Sequence, residues 1–167
     1  MSLLTYNPTS NVTPDPGQGG LSVVGNINTG HSNTTSSVSG VGTQDRTCKW
    51  TAFPAGGGLP SSVTLKADWS QNGSLSGISP ANLFQIQYSV NGGSTWTTLK
   101  ASSNITSSTS GTSTASLSLT QNLTQVQVRD LIEATGSDAG DTAACTASVS
   151  NIKIDVVSYD PASMGMM

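Results

Sequence analysis

The chain has 167 residues, enough for one domain with a real core and short of a comfortable two. Charged residues make up 9% and hydrophobic residues 34%, with a net charge of −3; an average domain carries roughly 25% charged residues. The low net charge argues against a charge-driven disordered chain, and the six scattered Lys and Arg argue against nucleic-acid binding. No apolar run approaches the roughly 20 residues of a membrane span. Ser, Thr, Gly and Asn fill the gap, which suits a β-rich protein of a virion, an adhesin or another extracellular surface.

Residues 1–44 differ in composition from the rest of the chain. The opening "MSLLTYNPTSNV" has neither the basic start nor the apolar run of a secretory signal. "NPTSNVTPDPGQGG" is punctuated by Pro and Gly, and "NINTGHSNTTSSVSGVGTQ" gives little to bury. A short cluster, Leu21, Val23 and Ile27, has the spacing of an edge strand. The segment is read as an extended arm over 1–44, leading into a β-sandwich domain over 45–159 and a C-terminal tail over 160–167.

From Asp45 onward, short runs alternate with period two between turn residues, the signature of an antiparallel sandwich or barrel. "RTCKWTAF" puts Cys48, Trp50 and Ala52 on one face. "SSVTLKADWS" does the same with Val63, Leu65, Ala67 and Trp69, and "NLFQIQYSV" with Phe84, Ile86 and Tyr88. "YSVNGGSTW" then turns the chain, and "STWTTLK" returns. "TASLSLT" points Leu117 and Leu119 inward. "TQVQVRDLIEAT" alternates on Val126 and Val128 and shifts face near Asp130, where a β-bulge is expected because Leu131 and Ile132 are adjacent. "ACTASVSNIKIDVV" alternates on Cys145, Ala147 and Val149, then slips to Ile152, Ile154 and Val156, which predicts a second bulge. No segment has sustained helical periodicity.

"FQIQYSVNGGSTWTTL" resembles the strand–turn–strand of jelly-roll β-sandwiches of the galactose-binding-like kind, and "VQVRDLIEATGSDAGDTAACTASVSNIKIDVV" is similar to their closing pair of strands. The resemblance spans residues 46–158 and implies an all-β, jelly-roll-like antiparallel sandwich. Within it, Ser89, Gly93, Thr95 and Trp96 match the Asp-box pattern Ser-x-Asp-x-Gly-x-Thr-Trp, with Asn91 in the Asp position. That motif is known from sialidase propellers, where it recurs blade by blade. A single copy implies a hairpin, with Asn91 bracing the turn through its side-chain oxygen.

Groups that carry chemistry are sparse. His31 is the sole His and sits in the Ser/Gly-rich arm, and Glu133 is the sole Glu. A triad, a His-based metal site or a two-carboxylate glycosidase needs more. A hydrolase would require Asp68, Asp130, Glu133 or Asp155 to converge. "GSDAGDT", with Asp138 and Asp141, has the look of a calcium loop without its density of oxygen ligands; a plain turn is the commoner outcome. Cys48 and Cys145 lie on the first and last core strands, neighbours in a jelly roll, and are a disulfide candidate; two buried thiols fit the sequence equally. No metal, no cofactor and no membrane insertion are expected.

Two functions are expected. The first is a non-enzymatic structural protein of a virion or other extracellular assembly, such as a tailed-bacteriophage decoration, head-fibre or tail-associated protein. Its arm would contact neighbouring subunits, either copies of itself or other virion proteins, and the small apolar "SMGMM" tail would dock on a neighbour. The alternative is a carbohydrate-binding or adhesion module for a cell-surface glycan, using Trp96, Asn91 and Tyr88 around the 91–96 hairpin, with Trp96 the aromatic best placed for exposure.

Overall fold

The computed structural model describes residues 1–12, 31–34, 38–40, 42–51, 53–55 and 59–158. Eleven strands lie in these residues: β1 (Ser2–Tyr6), β2 (Ser10–Val12), β3 (His31–Thr34), β4 (Val38–Ser39), β5 (Gly42–Thr51), β6 (Pro60–Ser76), β7 (Ala81–Ser89), β8 (Thr97–Ser103), β9 (Thr109–Ser116), β10 (Gln127–Gly136) and β11 (Thr142–Ser158). The one helical element among them is a 3-10 turn, Leu123–Gln125, capped by the Asn122 side chain.

The strands form two antiparallel sheets. Sheet A runs β1-β11-β6-β9, with β3 and β4 also on β11; sheet B runs β2-β5-β10-β7-β8. Counting the β3–β4 stretch as the first of eight strands and β5 to β11 as the rest, the sheets pair as 1-8-3-6 and 2-7-4-5. This is the double Greek key of a jelly roll. The expected all-β sandwich is thus the fold.

Alternation explains why these segments are strands. Every second residue of β6, β7, β10 and β11 points between the sheets, where Leu65, Phe84, Ile86, Ile132, Val149 and Ile154 are fully buried in the main core and Val38, Ala134 and Ala143 form a smaller cluster. Trp69 and Tyr88 pack half-buried against it, and the Trp69 and Phe84 rings meet at 6.4 Å. A buried amide joins three segments at the edge of this core. Asn82 donates to the Ile105 and Ala144 carbonyls, each at 2.9 Å, and accepts from the Ile105 N–H at 2.5 Å. Both its donors and its oxygen are used, so burying it does not leave an orphaned amide.

The structure departs from the alternation read in the sequence at two places. No register shift occurs near Asp130: β10 pairs continuously with β5 and β7, and Asp130 itself takes a fully buried inward position while Leu131 faces out. Leu117 is buried, but Leu119 is 49% exposed, because β9 ends at Ser116 and the chain turns. The second expected bulge is present. The β11–β6 register shifts between Ser150 and Lys153, with Asn151 at φ 49°. That extra residue is what moves the inward set from Val149 to Ile152.

The described part of the N-terminal segment runs along the sheets of its own chain. β11 is 17 residues long; one edge pairs with β6, and the other takes β1, β3 and β4 in turn. β2 pairs with β5. Leu21, Val23, Ile27 and the 159–167 tail lie outside the described residues.

Candidate functional site

The 89–96 loop is built by its own side chains. The Ser89 hydroxyl accepts from the Gly93 N–H at 2.8 Å and donates to Asn91 Oδ1 at 2.9 Å. The same Asn91 oxygen accepts from the Thr95 N–H at 3.0 Å, and Asn91 Nδ2 donates to Thr95 Oγ1 at 2.9 Å. Asn91 thus braces the turn through one side-chain oxygen that accepts a backbone N–H and a hydroxyl. Gly92 and Gly93 adopt φ of 69° and 91°, which the turn requires, and the Gly92 N–H donates to the Gln125 carbonyl at 2.9 Å. That bond pins the loop beside the start of β10.

The loop delivers Trp96 to the outer face of sheet B. Arg129, on the outward side of β10, lies over the indole with its guanidinium carbon 4.1 Å from the ring centroid. Arg129 Nε donates to Gln87 Oε1 at 2.8 Å, and Gln87 Nε2 reaches Gln85 Oε1 at 3.3 Å. An aromatic ring, a guanidinium and two amides thus line up across β7 and β10, with part of Trp96 still exposed. The expected trio does not assemble as one surface: Trp96 faces out, Asn91 braces the turn, and Tyr88 packs on the core from the opposite side of the sheet. No motif in the sequence singles out Arg129, Gln87 and Gln85. Their parity with Val128 and Ile86, the inward residues beside them, is the signal that places them together outside.

The outer face of sheet A is different. Ser70 and Ser148 share a hydroxyl bond at 2.6 Å beside a groove of about 320 Å³ that also meets Asn72, Ser110 and Thr146. A second groove, about 580 Å³, is lined by Asn7, Lys66, Asp68, Thr112, Asn151 and Lys153. Asp68 accepts from Thr112 at 2.5 Å and Asn151 at 2.8 Å, and these bonds hold its carboxyl below the usual range. Burial raises the Asp155 carboxyl, but Lys66 at 2.7 Å, Thr5 at 2.8 Å and Lys153 at 3.9 Å outweigh it and leave it low.

The carboxylates a hydrolase would need are dispersed: Asp68 and Asp155 on the outside of sheet A, Asp130 in the interior, Glu133 on the outside of sheet B. Among the described residues no three His, Cys, Asp or Glu come together as a metal site. Asp141 is fully buried and ties two loops together. Its Oδ1 accepts from the Ile78 and Ser79 N–H groups, and Oδ2 accepts from those of Ser137 and Asp138. Burial raises this carboxyl and the four N–H donors more than offset it, keeping it low. Four backbone donors consume the oxygens a calcium ion would need, so the Asp138–Asp141 loop is a closure device. Gly77, at φ 124°, passes so near Asp141 that a Cβ there would strike the carboxylate.

Cys145 is buried on the core side of β11, and burial pushes its thiol up to about 11. Cys48 lies on β5 with its backbone opposite Asp130; its side chain, like those of His31 and Trp50, is outside the described residues. No helix among the described residues is long and apolar enough to cross a membrane.

No family model matches the chain, and no curated protein does. A solved structure titled "CBM4 structure and function" is similar over 93% of this chain and 94% of its own length, with 11% identity and a TM-score of 0.35.

Proposed function

We propose that the protein is a non-catalytic carbohydrate-recognition module of an extracellular or virion surface, binding glycan on the outer face of sheet B. The observation that carries this is the placement of Trp96. A loop braced by four side-chain hydrogen bonds holds the ring on the outside of the sheet, against Arg129 and beside the Gln87 and Gln85 amides. Sugars present an apolar CH face and a rim of hydroxyls, so an aromatic edge next to fixed amide donors and acceptors suits them. A glycan array probed with the wild type and with Trp96→Ala tests it. The wild type is expected to bind a defined glycan set, and the variant to lose about ten-fold in affinity while keeping its fold. A blank array for the wild type overturns the reading.

A second reading, a structural subunit of a virion or similar assembly, rests on β1. Leu3 and Leu4 are 63% and 45% exposed there, and β1 is an outer strand of sheet A among the described residues. Edge strands of this kind add to a neighbouring chain. Light scattering on the wild type and on Leu3→Lys/Leu4→Lys tests it: the expected outcome is an oligomer that becomes monomeric. A monomeric wild type removes this reading.

A further inference from the structure

The ladder of sheet B places Lys49 directly across from Arg129, on the same outward face. Continuing across the sheet, the strand beyond Arg129 carries Gln87. Two residues on, Leu131 faces out and stands in backbone register with Thr47 and Gln85. The row after that has Glu133 in register with Asp45. Two cations thus sit side by side, and Glu133 belongs to the outward row two steps away. At about 3.4 Å per residue the Arg129 and Glu133 backbones are about 14 Å apart, beyond the screening length of about 8 Å at physiological salt. Among the described residues, neither Arg129 nor Lys49 has an ion-pair partner.

Directly opposed like charges weaken a sheet. The chain has six Lys and Arg in all and a net charge of −3, so a cation pair with no ion-pair partner among the described residues is out of keeping with its composition. Arg129 is also immobilised. The Trp96 ring lies 4.1 Å beneath its guanidinium carbon, Gln87 accepts from its Nε, and its terminal N–H groups donate to no described residue. A guanidinium fork held in this way, with no ion-pair partner among the described residues, matches the planar geometry of a carboxylate.

We infer that the outer face of sheet B recognises an acidic glycan, with Arg129 and Lys49 binding the carboxylate of a uronate residue beside Trp96. This rests on the carbohydrate-recognition reading of the same face and names its ligand class.

Calorimetric titration with tetramers of galacturonate and of mannuronate, against their methyl esters, tests it in the full chain. The acid form of at least one is expected to bind about ten-fold or more tightly than its ester at low salt, with the gap narrowing as salt rises. Arg129→Gln is expected to erase the gap with the thermal midpoint unchanged, and Arg129→Lys to retain part of it. Should Arg129→Gln lose its fold, Lys49→Gln gives the same comparison. Equal binding of acid and ester overturns the inference and leaves the glycan reading standing, as does Trp96-dependent binding confined to neutral glycans on the array. Binding of poly-glutamate as tight as that of the uronate tetramers overturns it as charge attraction without sugar recognition. Absence of binding to any sugar overturns both.

Discussion

The two outer faces of the sandwich use polar residues in opposite ways. On sheet A, polar groups satisfy one another: Ser70 with Ser148, Asp68 with Thr112 and Asn151, Asp155 with Lys66 and Thr5. On sheet B, Lys49 and Arg129 stand together without a counter-ion among the described residues, and a tryptophan is held against the arginine. A face whose charges are already matched is built for stability. A face that places like charges together gives up stability unless a ligand supplies the missing charge. Grooves alone would point the other way, since the two described both lie on the outside of sheet A.

The largest expected effect is on sheet A. Asp155 has a side chain 8% exposed and bonds Lys66 and Thr5. Asp155→Asn removes the charge and leaves Lys66 and Lys153 facing each other. It is expected to lower stability by about 2 kcal/mol in urea unfolding, the scale of a charged hydrogen bond. Arg129→Gln on sheet B is expected to change stability by less than about 0.5 kcal/mol, because it removes a repulsion along with a contact. Equal costs for the two variants would erase the difference between the faces.

Acid titration sharpens the same contrast. The carboxyls of Asp68, Asp141 and Asp155 are all held low in the folded protein. For such groups the unfolded chain binds more protons as pH falls. Their contribution is therefore present above the unfolded-state value of about 3.9 and lost as pH drops through the lower folded-state values. Stability is expected to fall steeply below about pH 4, with a shallower slope in Asp155→Asn than in the wild type. A slope in the variant as steep as the wild type's would remove Asp155 from that account.

Much of this architecture is legible in the sequence because alternation is a local signal. Phe84, Ile86 and Tyr88 declare an inward face, and the break after Val149 marks the bulge at Asn151. Where alternation carries a polar residue inward the signal misleads: Asp130 occupies a core position, so the sequence reads as a slipped strand where none exists. The N-terminal strands give no such signal. β1 is exposed along nearly its whole length and is placed by backbone pairing to β11, which leaves no apolar period to read. The turn at Asn91 is readable from residue types alone. The Arg129–Lys49 pair is not, since it exists only through the β5–β10 register between segments far apart in the chain.

A smaller effect separates the loop from its tryptophan. Asn91→Ala removes two acceptor bonds and one donor bond from a largely exposed turn and is expected to cost about 1 kcal/mol. Asn91→Asp is expected to cost less than about 0.5 kcal/mol, because Thr95 can donate its hydroxyl where it now accepts. If Trp96 is the recognition residue, Asn91→Ala weakens glycan binding, and Asn91→Asp keeps it apart from a repulsion of acidic glycans that fades as salt rises. Loss of binding in both would mean that the Asn91 amide itself touches the ligand.

The smallest expected effect is the most discriminating between the faces. Ser70→Ala deletes one exposed hydroxyl bond to Ser148 and should change stability by only a few tenths of a kcal/mol, since water replaces an exposed partner at little cost. It should also leave glycan affinity untouched, because the groove it lines opens on sheet A and Trp96 lies on sheet B. A fall in affinity on Ser70→Ala, with Trp96→Ala binding normally, would invert the assignment. The hydroxyl groove would become the ligand surface, and the stacked arginine would be a brace for the loop.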